Sequence, residues 1–206
     1  MEPLRGNIWK YFVYLFSQRR HFIPLLAIYF LTLPDTTAQQ IGLYTGIGYA
    51  ASFLVELPSS YFADRIGHKV TLVIAKAFMV LSTILFILAD KFWYFAAGAA
   101  CMAISTACSG GVGDAFMHDT MRALKRESEY TKILSKIKAY VSLISGILIV
   151  CLPLLTVTSM LLPFYIVLAI DVVGLIVVSM LHAPGQEQDT APVSLRQITN
   201  MLRTAV

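Results

Sequence analysis

Charged residues and cysteines are both scarce in this chain of 206 residues. Charged side chains make up only 14% of it, and its three cysteines, Cys101, Cys108 and Cys151, form no C-x-x-C pair. An odd number of cysteines within apolar stretches provides neither a disulfide framework nor a metal site. The sequence also lacks a phosphate-binding glycine loop, a metal-ligand spacing among its four histidines and any arrangement for covalent catalysis. We therefore expect no cofactor, no enzyme activity and no ATP-driven pumping.

Apolar residues, by contrast, are abundant. Hydrophobic residues account for 57% of the chain and its mean hydropathy is +0.71, which is too much apolar surface for a soluble core of this length. The net charge of +4 comes from basic residues that are scattered between apolar runs, so no nucleic-acid partner is expected. The composition indicates an integral membrane protein whose first partner is the lipid bilayer.

Six apolar runs are long enough to cross a bilayer, which requires roughly 20 residues per helix. The runs are continuous rather than alternating, which favours helices over a β-barrel. We therefore predict an all-α membrane protein with a bundle over 1–183 and a polar linker over 184–206. The predicted spans are about 11–33, 41–63, 70–89, 92–117, 130–152 and 160–181.

The distribution of lysine and arginine predicts the orientation of the bundle, because short cytoplasmic loops carry an excess of these residues. Only Lys91 falls on one side of the predicted bundle. Ten basic residues fall on the other side: Arg5, Lys10, Arg65, Lys69, Arg122, Lys125, Arg126, Lys132, Arg196 and Arg203. We therefore expect both termini in the cytoplasm.

Two adjacent arginines, Arg19 and Arg20, fall inside the first predicted span. At 1.5 Å per residue, Arg20 would lie roughly 20 Å from the outer end of a continuous helix. A cation at such a depth usually faces a cavity or a partner, which makes both arginines candidates for binding an anionic substrate group or a coupling carboxylate. Alternatively, the side chains reach back to the inner headgroups. The sequence favours neither role over the other.

Lys76 and Asp171 are opposite charges within the third and sixth predicted spans. Asp171 lies near the middle of its span, and Lys76 lies six residues into the third. The long lysine side chain would reach the carboxylate if the two helices touch. A structural ion pair is the preferred interpretation, and a proton-coupling role for Asp171 is the alternative.

Glu56 and Asp114 are the other acidic residues within predicted spans. Glu56 lies close to Pro58, which frees a backbone carbonyl, so a hinge network and a proton site are both open interpretations. Asp114 follows the small-residue segment 109–113, which indicates close helix packing or, less directly, contact with a ligand.

A charged turn separates the second and third predicted spans, with the pattern Ser60-x-x-x-Asp64-Arg65-x-Gly67-His68-Lys69. This pattern resembles the signature of the major facilitator superfamily, G-x-x-x-D-R/K-x-G-R-R/K. Ser60 stands in place of the first glycine and His68 in place of a basic residue, which makes one charge depend on pH. Further motifs are similar to a bacterial branch of that superfamily, namely Glu56-x-Pro58-Ser59, Ser109-Gly110, His118-Asp119-Thr120 and Tyr130-Thr131-Lys132-Ile133.

The resemblance implies one six-helix bundle, built as two inverted three-helix repeats, out of the two bundles in such transporters. The chain would be the amino-terminal half, and its partners would be a small-molecule substrate and a second six-helix bundle. By the resemblance, Lys76 and Asp171 form a structural pair. The implied conformational latch comprises Ser60, Asp64, Arg65, Gly67 and Lys69. The implied candidates for substrate binding or proton coupling are Arg19, Arg20, Tyr29, Glu56, Ser105 and Asp114.

The expected function is secondary active transport of a small organic solute across the cell inner membrane. The resemblance to an efflux-type branch favours proton-coupled export, as by an antiporter, through alternating access. The alternative is a six-helix binding or assembly module, or an inactive half-transporter, that dimerises without transporting anything by itself.

Overall fold

The computed structural model describes residues 2–34 and 36–184, apart from the side chains of residues 2, 3, 57–62 and 64. All regular secondary structure in that part of the chain is helical. Short 3-10 helices occupy Glu127–Glu129 and Leu152–Val157. The α-helices are α1 (Glu2–Ser17), α2 (Ile23–Leu31), α3 (Ala38–Ile66), α4 (His68–Ile87), α5 (Phe92–Ser109), α6 (Val112–Ala123), α7 (Tyr130–Cys151) and α8 (Leu162–Ser179).

Four helical stretches among the described residues are long and apolar enough to cross a membrane. They are His68–Ile87, Phe92–Ala123, Glu127–Val157 and Leu162–Ser179. The prediction of an all-helical membrane protein is confirmed at this level. The first two of the six predicted spans, which coincide with α1–α2 and α3, remain predictions.

The first predicted span is not one continuous helix, because α1 ends at Ser17 and α2 begins at Ile23. Pro24 explains the interruption. In a continuous helix its ring would clash with the carbonyl of Arg20, and it has no N–H to donate to that carbonyl. The double arginine that we expected within a helix therefore lies in a break between two helices.

The fourth predicted span is interrupted as well, between α5 and α6. Gly111 has a φ of +74°, a left-handed conformation that glycine adopts at little cost. Gly110 ends α5 in an extended conformation, and α6 begins at Val112. Asp114 therefore lies in the first turn of a separate helix rather than near the end of a long one.

A single residue, Gly67, joins α3 to α4 with a φ of +89°. Its backbone N–H donates to the carbonyl of Ala63, which closes the end of α3. The 29-residue α3 continues as a helix through Pro58. The charged turn that we predicted from the sequence is thus a sharp helix–helix corner.

Two apolar cores lie within the helical bundle. The first is rich in aromatic residues, and we call it the aromatic core. It includes Phe22, Leu25, Leu26, Tyr29, Phe30, Tyr44, Phe86, Phe95 and Phe164. The second, the methionine core, includes Tyr11, Tyr14, Leu72, Phe116, Met117, Met121, Val141, Val178 and Leu181. Helices α4 and α8, together with the α1–α2 pair, contribute to both cores.

Helix α4 packs against both α5 and α8, while α1 packs against α7 and α8. Helix α8 approaches its neighbours closely at Gly174. A Cβ atom added there would overlap the Ser17 side chain and would lie 2.8 Å from Lys76 Cε. The absence of a side chain at Gly174 therefore allows α8 to lie directly against α1 and α4.

Candidate functional site: a buried ionic cluster at the helix break

A cluster of charged side chains lies between the two apolar cores, and we call it the ionic cluster. It consists of Arg20, Lys76, Asp171 and the neighbouring Ser17 and Thr83. Lys76 lies in the interior of the 20-residue α4, and Asp171 lies in the middle of the 18-residue α8. Both side chains are 0% exposed. A charge so far from water requires a compensating partner, since hydrocarbon offers none.

The Asp171 carboxylate accepts hydrogen bonds on both oxygens. Lys76 Nζ lies 2.7 Å from Oδ1, and the Thr83 hydroxyl donates to Oδ2 at 2.7 Å. Lys76 also donates to the backbone carbonyl of Ser17, the last residue of α1, at 2.6 Å. This bond satisfies one of the carbonyls that a helix end leaves unpaired. The pair predicted from the sequence is thus a three-helix junction of α1, α4 and α8.

Arg20 brings a second cation to the same carboxylate. Its Nη1 atom lies 3.6 Å from Asp171 Oδ2, too far for a hydrogen bond, and its side chain is 9% exposed. The Phe22 ring centroid lies 5.8 Å from Cζ, within range of a cation–π contact. None of the three guanidinium nitrogens has a hydrogen-bond partner in the described part of the protein. Two buried cations therefore share one carboxylate.

Other polar side chains of the break lie beside Arg20. His21 is fully buried, and its Nε2 lies 3.1 Å from the Ser145 hydroxyl of α7. The other ring nitrogen of His21 has no partner among the described residues, and neither do the side-chain amide atoms of Gln18. The break therefore holds several buried polar groups that make no hydrogen bond within the described part of the chain.

The remaining candidates for substrate binding on the first and fourth predicted spans do not join the ionic cluster. Arg19 is exposed, although it adjoins Arg20 in sequence. Tyr29 is buried in the aromatic core, and its hydroxyl donates to the Ala89 carbonyl at 3.5 Å. Ser105 is 0% exposed, and its hydroxyl has no partner in the described part of the chain.

Asp114 belongs to a separate, half-exposed network at the start of α6. Its carboxylate pairs with Lys138 Nζ at 2.7 Å and accepts a hydrogen bond from the Tyr11 hydroxyl at 3.1 Å. Gly113 makes room for that tyrosine, since an added Cβ would lie 3.0 Å from its hydroxyl oxygen. This geometry favours the interpretation of the glycine-rich segment as a packing element that joins α1, α6 and α7.

The predicted latch is described only in part, because the side chains of Ser60 and Asp64 lie outside the described residues. Gly67 forms the corner between α3 and α4, and Arg65 is exposed beside it. His68, the residue that departs from the superfamily pattern, lies with its Nδ1 3.0 Å from Asp119 Oδ2. The corner is thus tied to α6 within this one bundle.

Glu56 is exposed on α3. Lys69 is half-buried at the start of α4. The predicted linker falls almost entirely outside the described residues, which end at 184. Within the described part of the chain no group of three metal-binding side chains is present.

Sequence reasoning did not place Arg20 next to Asp171, and it missed Ser17, Thr83 and the His21 contact. Pro24 was the available signal, since a proline four residues after Arg20 predicts an interrupted helix. An interrupted helix allows the arginine to turn into the bundle instead of following the helical path toward the headgroups.

These features define an α-helical membrane protein with a charged cluster buried between two apolar cores. No protein-family model matches the chain. No curated protein matches it either.

Proposed function

We propose that the chain is one six-helix bundle of a secondary transporter that moves a small organic solute by alternating access. The observation that carries this proposal is that two interrupted helices occupy corresponding positions in the two halves of the chain. In transporters built from repeats, such paired interruptions mark the binding site. The proposal includes all six spans, with the three-helix units α1–α4 and α5–α8 as inverted repeats.

The helix lengths support the correspondence. The first helix of each unit is interrupted: α1 and α2 have 16 and 9 residues, and α5 and α6 have 18 and 12. The second is long, with 29 residues in α3, and with 22 in α7 followed directly by a six-residue 3-10 helix. The third is short, with 20 residues in α4 and 18 in α8. The two units therefore follow the same plan.

The helix contacts support it independently. An exchange of the two units replaces α1 by α5, α3 by α7 and α4 by α8, and the reverse. The contact between α4 and α5 then corresponds to the contact between α8 and α1, and both contacts are present. The same exchange turns the contact of α3 with α5 into that of α7 with α1, and both are again present. The contact of α4 with α8 maps onto itself. An internal two-fold relation predicts this pattern.

The exposed faces of α3 and α7 support a second bundle as partner. Gly42 and Gly46 on α3, and Gly146 on α7, have no atom within 4 Å of an added Cβ. Small residues on an apolar helix face allow another helix to approach closely, which lipid does not require. Around them lie exposed large side chains such as Tyr49 on α3 and Ile147 on α7. We assign these faces to contacts with the other half of the transporter.

In this proposal Arg20 is the solute-binding cation, while Lys76 and Asp171 hold α4 and α8 together. Glu56 and Asp114 remain the candidates for proton coupling that the sequence resemblance implies. Proton-driven export remains part of the proposal and is supported by the sequence resemblance. The latch role of Asp64 and Arg65 belongs to the proposal on the same ground.

The second candidate function is an assembly module that dimerises without transport. The same open faces of α3 and α7 favour it, since a second copy of the chain would also cover them. Reading the gene beyond Val206 separates the two candidates. Six further predicted spans in the same frame support the transporter, and a stop codon directly after Val206 supports the module or a homodimer.

Solute-driven proton flux in proteoliposomes tests the transport proposal directly. The chain is expressed together with any sequence that its reading frame encodes downstream, and it is reconstituted into vesicles that contain a pH-sensitive dye. We expect a solute gradient to move protons, and Arg20→Ala to abolish this movement. The matched control is Arg5→Ala, which alters an exposed arginine of α1. Proton movement that is unchanged in Arg20→Ala would remove Arg20 from the site, and no movement with any solute would contradict transport.

A further inference from the structure

The break between α1 and α2 holds a buried cation whose hydrogen-bonding capacity is unused. The Arg20 side chain is 9% exposed, and its Nε, Nη1 and Nη2 atoms have no partner among the described residues. A guanidinium offers five N–H donors, and leaving them unpaired away from water is costly. We propose that this break is a binding site for a small monocarboxylate, which Arg20 holds.

The ionic cluster has a net charge of one positive unit, which one further negative charge would neutralise. Arg20 and Lys76 bring two positive charges, and Asp171 brings one negative charge. The short bonds to Asp171 are made by Lys76 and Thr83, at 2.7 Å each, while Arg20 stays 3.6 Å away. The surplus positive charge therefore lies on the guanidinium, and a ligand with a single negative charge neutralises it.

The polar groups around Arg20 are also suited to an anion. The Gln18 side-chain amide is buried without a partner in the described part of the protein, so its NH₂ group is available as a donor. Among the described residues, no acceptor pairs with the backbone N–H groups of Arg20, His21 and Phe22. These groups directly precede the nine-residue α2, whose N-terminal dipole favours negative charge.

The geometry of arginine favours a carboxylate over a halide. A guanidinium presents parallel N–H groups in one plane, and a carboxylate accepts two of them at once through its two oxygens. A spherical chloride gains no such bidentate pairing. Aromatic rings adjoin these polar groups: the Phe22 centroid lies 5.8 Å from Arg20 Cζ, and the Phe16 ring lies 5.1 Å from that of His21.

The binding claim stands on the ionic cluster and the break alone. Its extension, that the transported solute carries a carboxylate, rests on the proposed transport function. Carboxylate binding without solute-coupled proton flux would contradict the transport proposal and leave the proposed binding site intact. Transport of a solute by a chain that binds no carboxylate would contradict the proposed binding site and leave the transport proposal intact.

Saturation-transfer NMR of the purified chain in detergent tests the site, with sodium acetate as the probe and acetamide as its uncharged counterpart. We expect acetate to receive saturation and acetamide to receive at least about tenfold less, since charge-assisted hydrogen bonds account for such a factor. Arg20→Gln is expected to weaken acetate binding about tenfold or more. Gln18→Ala, which removes a side-chain amide that makes no hydrogen bond in the described part of the chain, is expected to weaken it several-fold. Arg5→Gln, which alters an exposed arginine of α1, is the matched control and is expected to leave binding unchanged.

Three results would overturn the proposal. Equal saturation of acetate and acetamide, after subtraction of empty micelles, would show that charge is not recognised. An acetate signal that survives both Arg20→Gln and Gln18→Ala would place binding elsewhere. Displacement of acetate by chloride at a tenfold lower concentration would identify a halide site instead of a carboxylate site.

Discussion

The surplus cation in the ionic cluster predicts an unequal response to removing either member of the Lys76–Asp171 pair. Asp171→Asn would leave Lys76 and Arg20 buried with no anion between them. Removing one partner of a buried ion pair typically costs about 3–5 kcal/mol of stability, because an uncompensated charge remains. Thr83 would also face a neutral amide in place of the carboxylate it now binds at 2.7 Å. We expect Asp171→Asn to be less stable than either Lys76→Met or Arg20→Gln.

Lys76→Met is expected to cost less. Arg20 already lies 3.6 Å from Asp171 Oδ2, so the carboxylate keeps a cation, and Thr83 still donates to it. The main loss is the donor to the Ser17 carbonyl at 2.6 Å, and an unsatisfied buried acceptor costs about 1–3 kcal/mol. The methionine fills most of the space of the lysine stem. The two variants therefore differ by about 2 kcal/mol.

Thermal unfolding in detergent, followed by tryptophan fluorescence at one scan rate, measures the order. For a chain of this size a difference of about 2 kcal/mol corresponds to about 4–8 °C in Tm. Arg20→Gln is the informative third variant, and we expect it to leave the Tm unchanged or to raise it, since it removes the surplus charge. Equal Tm values for Asp171→Asn and Lys76→Met would refute this reasoning. So would a loss of stability in Arg20→Gln as large as that in Lys76→Met.

Three further predictions concern packing, the ionic cluster and topology. Gly174→Ala is expected to lower the Tm strongly, because the added methyl group would overlap Ser17. Gly146→Ala places its methyl group in open space and is expected to leave the Tm unchanged or to raise it. The same fluorescence assay compares the two variants. Thr83→Val removes the second hydrogen bond to Asp171 and is expected to cost about 1–3 kcal/mol in that assay, and a neutral result would show that this bond contributes nothing. The topology can be tested with single cysteines introduced into a chain that lacks its native cysteines. Cysteines at positions 36 and 91 are expected to react with an impermeant reagent from outside, and those at positions 68 and 125 only from inside. The reverse pattern would contradict the topology.

The sequence allowed the helices to be predicted well wherever one continuous apolar run corresponds to one helix. The predicted span 70–89 coincides closely with α4 (His68–Ile87), and 160–181 with α8 (Leu162–Ser179). Hydrophobicity decides these helices, and it is a local property that composition reveals. Lys76 and Asp171 were recognisable for the same reason, since a charge within such a run requires a partner.

The contacts of Arg20 were harder to predict, because they depend on backbone geometry rather than on apolar length. A window of hydropathy does not register the loss of one hydrogen bond at Pro24, and so the first span was predicted as a single helix. The left-handed Gly111 had the same effect on the fourth span. Long-range contacts such as that of His21 with Ser145, 124 residues apart, leave no trace in local pattern.

The distance along the chain between Lys76 and Asp171 has a consequence for biosynthesis. Asp171 follows Lys76 by 95 residues, so at about 5–20 residues per second it is made roughly 5–19 seconds later. During that interval the early helices carry Lys76 and Arg20 without their carboxylate. A lysine or arginine at the centre of an inserting helix costs about 2.5–3.5 kcal/mol. The nascent chain is therefore expected to stay with the insertion machinery until α8 emerges from the ribosome, and only then to enter the lipid with Lys76 paired to Asp171.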